Sequence, residues 1–337
     1  MSTAARVIGV LAERGHPALI ALPTVAGCAL RVCHDARELL AVSPAPSALL
    51  WIPPASPAEL VDAWPRLAPS VRWFHSFSAG VDSLAPFFAA AGLATTVPAQ
   101  PRLLLSNGRG AFSESLAEYV LWAMLHHTKR AERCQANKQS HTWDKFVMPQ
   151  LRGRTVGFVG FGHIATTTAP LCRALGMRVL ALRSSDAPHA LADETLSSAG
   201  PGGAERKARL FAESDFVVCT LPGTPDTRHF CDARAFGAMR ADAVFISLGR
   251  GSAVDERALA EALSAGTIGG AACDVFECEP LPADSPLWSC PNLLLTSHNA
   301  DYEARYFELG WAVWRANLDA WLAGSPMETP IDPARGY

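Results

Sequence analysis

The sequence predicts an α/β protein built from two doubly wound parallel-sheet domains. Three observations carry that prediction. Short β-branched and apolar runs alternate with helix-like runs along most of the chain, the pattern of parallel sheets covered by helices. One such unit is a strand, a glycine turn and a helix, with Gly160-x-Gly162-x-x-Ala165 at the turn. Finally, 337 residues of which 49% are apolar are enough for two cores at the usual ~100–200 residues per domain.

The elements follow in order. Residues 7–11 and 48–52 are strand-like, and Ser56-Pro57 opens a helix, with Ser as cap and Pro at the first helical position. Residues 71–77 form a strand that ends in the small-residue loop Ser78-Ala-Gly-Val-Asp82 and a helix through 85–91; residues 94–97 read as a further strand. Loops at the carboxyl ends of parallel strands are where ligands bind, so Ala79 and Gly80 form a candidate anion-binding turn, with a plain helix-start loop as the alternative. Residues 113–129 are a long helix with Leu116, Tyr119, Val120, Ala123, Met124 and His127 at helical spacing. Residues 132–150 are polar, with isolated Trp143 and Phe146 and no core period; they form either a partner-binding arm or a surface excursion.

The strand at 155–159 runs into Gly160, Gly162 and Ala165, with a helix expected over 170–175. Gly160 permits the tight turn, Gly162 lets backbone approach a pyrophosphate, and Ala165 lets the helix pack on its strand. The free N–H groups of the helix start favour phosphate. Strands follow at 178–182, 216–221, 243–247, 269–273 and 293–296, while 186–209 reads as loose and 255–263 as a helix. Residues 302–323 form a last amphipathic helix whose aromatics are core.

Composition narrows the partners. A net charge of −3 gives no electrostatic reason to expect nucleic acid or an anionic membrane, and no apolar stretch approaches the ~20 residues of a membrane span. The amino terminus lacks the pattern of a secretory signal, and the nine cysteines are scattered without a Cys-x-x-Cys pair. A cytoplasmic, thiol-reducing location is expected. Cys273 and Cys278 have no accompanying His/Cys cluster, so no metal site is expected.

Arg250, Glu279 and His298 carry the chemistry. All three follow strands of the second domain. Singly, they are a turn Arg, a loop acid and a structural His. Together in a dinucleotide domain they suit hydride transfer: Arg grips a carboxylate with two charge-assisted hydrogen bonds, His gives a proton to a carbonyl oxygen, and a carboxylate beside the His orients it and favours its charged form.

These residues also carry a resemblance. Ser78-Ala-Gly-Val-Asp82, Gly157-Phe-Val-Gly-Phe-Gly-His-Ile164, Thr220-Leu-Pro-Gly-Thr-Pro-Asp-Thr227, Ser247-Leu-Gly-Arg-Gly-Ser-Ala-Val-Asp255, Asp274-Val-Phe-Glu-Cys-Glu-Pro-Leu281 and Thr296-Ser-His298, in this order and spacing, resemble the D-isomer-specific 2-hydroxyacid dehydrogenases over nearly the whole chain. The resemblance implies a Rossmann cofactor domain (108–298) inserted into a flavodoxin-like substrate domain (1–107 and 299–337). It implies that Arg250 binds the substrate carboxylate with the backbone of Ala79 and Gly80, that His298 binds substrate and donates the proton, and that Glu279 rather than Glu277 is the His partner. It places cofactor contacts at Gly160, Phe161, Gly162, His163, Ile164, Leu221, Pro222, Thr227, Leu248, Gly249, Asp274 and Asn299, and a homodimer contact along 113–150. Ser247, Ser297 and Asn299-Ala300-Asp301 depart from the family's usual residues.

NAD enzymes place an acid after the second strand to bind ribose hydroxyls. Here Arg183, Ser184 and Ser185 stand there, which suits a 2′-phosphate and favours NADP over NAD. The expected activity is reduction of a small 2-keto acid to the D-2-hydroxy acid, with glyoxylate and hydroxypyruvate as leading substrates. The rival is a non-catalytic NAD(P)-sensing protein of the corepressor type on the same fold.

Overall fold

A computed structural model describes residues 5–93 and 103–337. The chain divides into two compact units, Met1–Phe112 with Ala304–Tyr337, and Ser113–Glu303. The divisions fall a few residues beyond 107 and 298.

The first unit begins with β1 (Arg6–Leu11), β2 (Cys28–Cys33), α1 (Ala36–Leu40), β3 (Ala48–Trp51), α2 (Pro57–Leu67), β4 (Trp73–Ser76), α3 (Ala85–Ala90) and β5 (Leu104–Asn107). The second unit holds α4 (Ser113–Thr128), α5 (Ala131–Gln139), β6 (Thr155–Val159), α6 (His163–Ala174), β7 (Arg178–Arg183), β8 (Glu194–Ser197), α7 (Gly203–Glu213), β9 (Phe216–Cys219), α8 (Ala233–Ala238), β10 (Val244–Ser247), α9 (Glu256–Ser264), β11 (Gly270–Cys273) and β12 (Leu293–Leu295). The chain then returns to the first unit with α10 (Tyr306–Ala323).

Among the described residues every strand pairing in both sheets is parallel. The first unit has the order β2-β1-β3-β4-β5, the flavodoxin-like order. The second has β12-β11-β10-β9-β6-β7-β8, the dinucleotide-binding order extended by one strand. In the first unit, Leu60, Trp64 and Phe87 lie in the core on one side of the sheet, while Trp311, Trp314 and Leu318 of α10 pack with Ile8, Val10, Leu50 and Trp73 on the other. In the second, Leu210, Phe211, Phe236 and Leu259 form one core, and Tyr119, Val120, Met124, Ala165 and Ala169 the other. Both sheets are thus doubly wound.

Several elements differ from the sequence reading. The strand expected at 94–97 lies outside the described residues; the last strand of that sheet is β5, and β2 was not anticipated. The segment 186–209 is not loose: it contains β8 and the start of α7. β8 is an edge strand whose Glu194 takes ion pairs from Arg178 at 2.9 Å and Arg209 at 2.7 Å, so no apolar run announces it. The helix after the glycine turn starts at His163 rather than near 170, with Gly162 as its cap and Pro170 inside it. Ser56 caps α2 as expected, accepting from the Ala58 N–H. α5 has no buried residue, and Trp143 beyond it is 99% exposed.

Two histidines, His75 fully buried and His127 half-buried, are held in the neutral form. His75 on β4 contacts Ser106 Oγ at 2.8 Å, and desolvation lowers its pKa to about 3. His127 on α4 donates to the Ala271 carbonyl at 3.0 Å, and desolvation with His126 nearby lowers it to about 4. The folded values lie below the unfolded value of about 6.5, so unfolding takes up protons as pH falls. Stability held above pH 6.5 is therefore lost toward the depressed values, by about 2 kcal/mol per histidine at pH 5. Urea unfolding followed from pH 7.5 to 5 should show a falling midpoint, and His127→Gln, which keeps a donor for Ala271, should flatten that fall.

Candidate active site

The second sheet changes winding direction at β6, which pairs with β7 on one side and β9 on the other. The crevice beyond the carboxyl ends at such a point is where ligands bind in open α/β sheets. Gly160 leaves β6 with φ of +87°, a left-handed conformation that glycine adopts without cost. Its N–H donates to the Leu182 carbonyl at 3.0 Å, and its carbonyl accepts from Thr220 Oγ1 at 3.0 Å. The turn is thereby tied to β7 and to the loop after β9. Phe161 packs its ring against Phe158 and His189, leaving only its backbone for a ligand. Gly162 and His163 are exposed, Ile164 is half-buried, and Ala165 is fully buried where α6 meets the sheet.

Arg183 ends β7, with Ser184 and Ser185 exposed beyond it. Ser198 donates to the Arg183 carbonyl from both N and Oγ, at 2.7 and 3.0 Å. Two serines follow β7 directly, and the first acid after it is Asp186. After β9 come Leu221 and Pro222, both half-buried. Thr227 Oγ1 donates to the Pro222 carbonyl at 2.6 Å and accepts from the Thr224 N–H at 2.9 Å, so its hydroxyl holds the loop in shape. Leu248 and Gly249 are buried after β10. A glycine turn with an open helix start, flanked by the Arg183 cation, fits an NAD(P) nucleotide: Gly162 has open space where a side chain would stand, and the first turn of α6 has no acidic residue.

The polar residues lie on the same unit. Arg250 is extended, and its NH1 donates to the Gly249 carbonyl at 3.0 Å. His298 Nδ1 lies 2.7 Å from Glu279 Oε2. An ionised carboxylate only accepts, so Nδ1 carries a proton. The other Glu279 oxygen accepts from the Phe276 N–H at 2.9 Å. This loop is packed directly on Gly251: a Cβ there would stand 1.9 Å from the Phe276 carbonyl carbon. The expected pairing of His298 with Glu279, and not Glu277, is present; Glu277 instead meets His229 Nε2 at 2.9 Å.

His298 has φ of +49°, uncommon for a residue with a side chain. Asp274, only 2% exposed, holds it there. The Asp274 carbonyl accepts from His298 N at 2.8 Å, and its carboxylate accepts from Asn299 N at 3.0 Å, Ala300 N at 3.1 Å and Thr296 Oγ1 at 2.6 Å. Because Thr296 spends its one hydrogen on Asp274, Tyr119 O–H is the donor in the 2.8 Å contact between Tyr119 and Thr296. Sequence reasoning placed Asp274 among the cofactor contacts and gave Thr296 and Tyr119 no role. It named Asp301 only as a departure from the family's usual residues; burial raises the Asp301 carboxyl above the usual range, with His298, Asp274 and Arg250 nearby. Ala79 and Gly80 belong to the first unit, in the loop after β4.

The sequence model of the family described as D-isomer specific 2-hydroxyacid dehydrogenase, NAD binding domain, matches residues 121–300. Glyoxylate/hydroxypyruvate reductase B of Pectobacterium carotovorum subsp. carotovorum is 34% identical over 238 residues, 68% of this chain and 72% of that protein. Among solved structures, a D-isomer specific 2-hydroxyacid dehydrogenase family protein from Aeromonas salmonicida subsp. salmonicida is similar with a TM-score of 0.76 and 26% identity, over 98% of this chain and 99% of that one. The NADPH-dependent glyoxylate/hydroxypyruvate reductase of Sinorhizobium meliloti in complex with NADP and sulfate is similar with a TM-score of 0.79 and 25% identity, over 98% and 100%. The chain belongs to the D-isomer specific 2-hydroxyacid dehydrogenase family. It is an NAD(P)-dependent oxidoreductase acting on a CH–OH group.

Since Gly251 leaves no room for a Cβ, Gly251→Ala should push the 276–279 loop away and open the His298–Glu279 pair. The expected result is a fall in kcat of at least tenfold in a protein that still binds NADPH, read from steady-state kinetics and nucleotide titration.

Proposed function

We propose that the protein reduces small 2-keto acids, glyoxylate and hydroxypyruvate foremost, to D-2-hydroxy acids with NADPH as the preferred reductant. The observation that carries this reading is the 2.7 Å His298–Glu279 pair on a dinucleotide-binding sheet whose second strand ends in Arg183. The named relatives that are glyoxylate/hydroxypyruvate reductases support the substrate class. Arg250 and the backbone N–H groups of Ala79 and Gly80 take the substrate carboxylate, and His298 binds the keto oxygen. Bound nicotinamide supplies the hydride. As the carbonyl carbon is reduced, His298 gives a proton from Nε2 to the oxygen while Glu279 keeps the ring oriented through Nδ1. Gly160, Phe161, Gly162, His163 and Ile164 offer backbone to the pyrophosphate, and Arg183 with Ser184 and Ser185 takes the 2′-phosphate. Leu221, Pro222, Thr227, Leu248, Gly249, Asp274 and Asn299 complete the wall of the nucleotide site, Thr227 by shaping its loop and Asp274 by fixing the His298 turn.

The same reading makes 1–107 with 299–337 the substrate domain and 108–298 the cofactor domain. Exposed Trp122, Leu125, Trp143, Val147 and Met148, with an α5 that buries nothing, support a homodimer through residues 113–150. Nine free cysteines are in keeping with the cytoplasm, and the net charge of −3 gives no electrostatic reason to expect nucleic acid or an anionic membrane as a partner. Among the described residues no helix is long and apolar enough to cross a membrane.

His298→Asn should lower kcat for reduction by roughly 10²–10⁴ with NADPH affinity intact. Glu279→Gln, which keeps the shape but removes the charge, should lower kcat by a smaller factor. Near-wild-type reduction by His298→Asn would remove it from the proton transfer.

Oxidation of NADPH and NADH against a panel of keto acids tests the function itself. A protein that binds NADPH and reduces none of them is the nucleotide sensor instead. Arg183→Asp should weaken NADPH strongly and favour NADH, because a carboxylate repels the phosphate and accepts from ribose hydroxyls. A wild-type enzyme that already works better with NADH at matched concentrations would overturn the Arg183 assignment.

A further inference from the structure

The loop 78–80 is held by its carbonyl oxygens, and two of the three residues that hold them, Asn107 and Gly108, lie far away in sequence. In a trans peptide the C=O and the following N–H lie in one plane and point in opposite directions. Fixing the Ser78 carbonyl therefore aims the Ala79 N–H, and fixing the Ala79 carbonyl aims the Gly80 N–H. The Ala79 carbonyl accepts from Asn107 Nδ2 at 2.7 Å. The Ser78 carbonyl accepts from Gly108 N at 3.2 Å and from Ser76 Oγ at 3.1 Å. Both peptide planes that carry the substrate-facing N–H groups are thus set from behind. Gly108 has no room for a side chain, since a Cβ would stand 2.2 Å from the Phe77 carbonyl oxygen.

Asn107 is itself immobilised. It is 1% exposed, and its Oδ1 accepts from Arg109 N at 3.3 Å. Its backbone N–H donates to the Thr329 carbonyl at 3.1 Å, and its carbonyl accepts from Thr329 Oγ1 at 2.5 Å. Thr329 is fixed in turn by Asn317 of α10, whose Nδ2 donates to Thr329 Oγ1 at 2.9 Å and whose Oδ1 accepts from Thr329 N at 3.2 Å. A fully buried amide whose polar atoms are all engaged costs little to keep and holds one orientation. Hydrogen bonds accepted by the two carbonyls also polarise their peptides and strengthen the N–H donors on the other side.

We propose that Asn107 is a positioning residue for substrate: with Ser76 and the Gly108 backbone, it orients the Ala79 and Gly80 N–H groups toward the carboxylate. This rests on the substrate role given above to that loop. Its signature is a loss in carboxylate binding rather than in chemistry or in nucleotide binding.

The test compares wild type, Asn107→Ala, Asn107→Asp and Ser76→Ala for KM and kcat with glyoxylate and hydroxypyruvate, for NADPH dissociation constant, for thermal midpoint, and for binding of oxamate to the enzyme–NADPH complex by calorimetry. Oxamate carries the carboxylate without being reduced. The Asn107 variants should raise KM and the oxamate dissociation constant together by about tenfold, the equivalent of one lost hydrogen bond of about 1.4 kcal/mol, with kcat and NADPH affinity within about threefold. Ser76→Ala should do the same to a smaller degree. A purely structural role would lower the thermal midpoint and leave KM and oxamate binding alone, and that result overturns the proposal. If neither Asn107 variant folds, unchanged KM and oxamate binding in folded Ser76→Ala overturns it equally. Wild type that reduces no keto acid overturns the functional reading instead, and oxamate binding still decides the role of the loop.

Discussion

Parallel strands cannot be joined by a tight turn, so each must be left at its carboxyl end and re-entered at the opposite edge of the sheet. In the second unit this constraint puts the loops after β6, β7, β9, β10, β11 and β12 along one edge. Gly160, Arg183, Leu221, Gly249, Asp274 and His298 are spread through the sequence, yet each ends one of these strands or follows closely on its carboxyl end. The reversal of winding at β6 opens the crevice between the loops. What the side chains then do is refinement on an arrangement that backbone pairing has already made.

The refinement is most costly at His298. A left-handed backbone at a residue with a side chain costs about 1–3 kcal/mol, and a buried carboxylate is expensive unless its oxygens are occupied. The two costs offset each other here. Asp274 finds its hydrogen-bond donors in the backbone of the turn that His298 makes and in the hydroxyl of Thr296, and that turn keeps its shape because Asp274 accepts them. Tyr119 adds a second layer by giving its own hydrogen to Thr296. The imidazole is therefore fixed from below by backbone and from the side by Glu279, while Nε2 takes no part in either contact.

The sequence was most legible where burial is heaviest. β3, β6, β9 and β10 have long apolar runs because both faces of a parallel sheet are covered, and the Gly160–Ala165 turn needs its small residues for reasons of space. The edges were not legible. β2 and β8 are edge strands carrying exposed and charged residues, and the glycines at 200–203 read as loop although they lead straight into α7. Pro170 displaced the expected start of α6, since a proline within a helix reads as its beginning. At the candidate site, Arg250, Glu279 and His298 were visible as a set, each after a strand of one dinucleotide-binding domain and each within a stretch that resembles the family. The supports at Asp274, Thr296, Tyr119 and Asn107 were not, because each acts through a partner distant in sequence, and nothing in an Asn or a Thr taken alone reveals which carbonyl it will meet.

The division of the first unit between the two ends of the chain has a consequence for the order in which the molecule is made. A ribosome releases β1 to β5 early, but Trp311, Trp314 and Leu318 of α10, which cover one face of that sheet, emerge only after the whole second unit. Until then that apolar face is only partly covered, by Ala18, Leu19, Leu22 and Val25 of the connection between β1 and β2, and Asn107 lacks the Thr329 contacts. The continuous segment 113–303 has its own two cores and can close first. The first unit then completes its fold when the last helix arrives, so a nascent chain halted between residues 303 and 311 carries a finished second unit and a first unit whose sheet still lacks that helix, the form in which a chaperone would meet it.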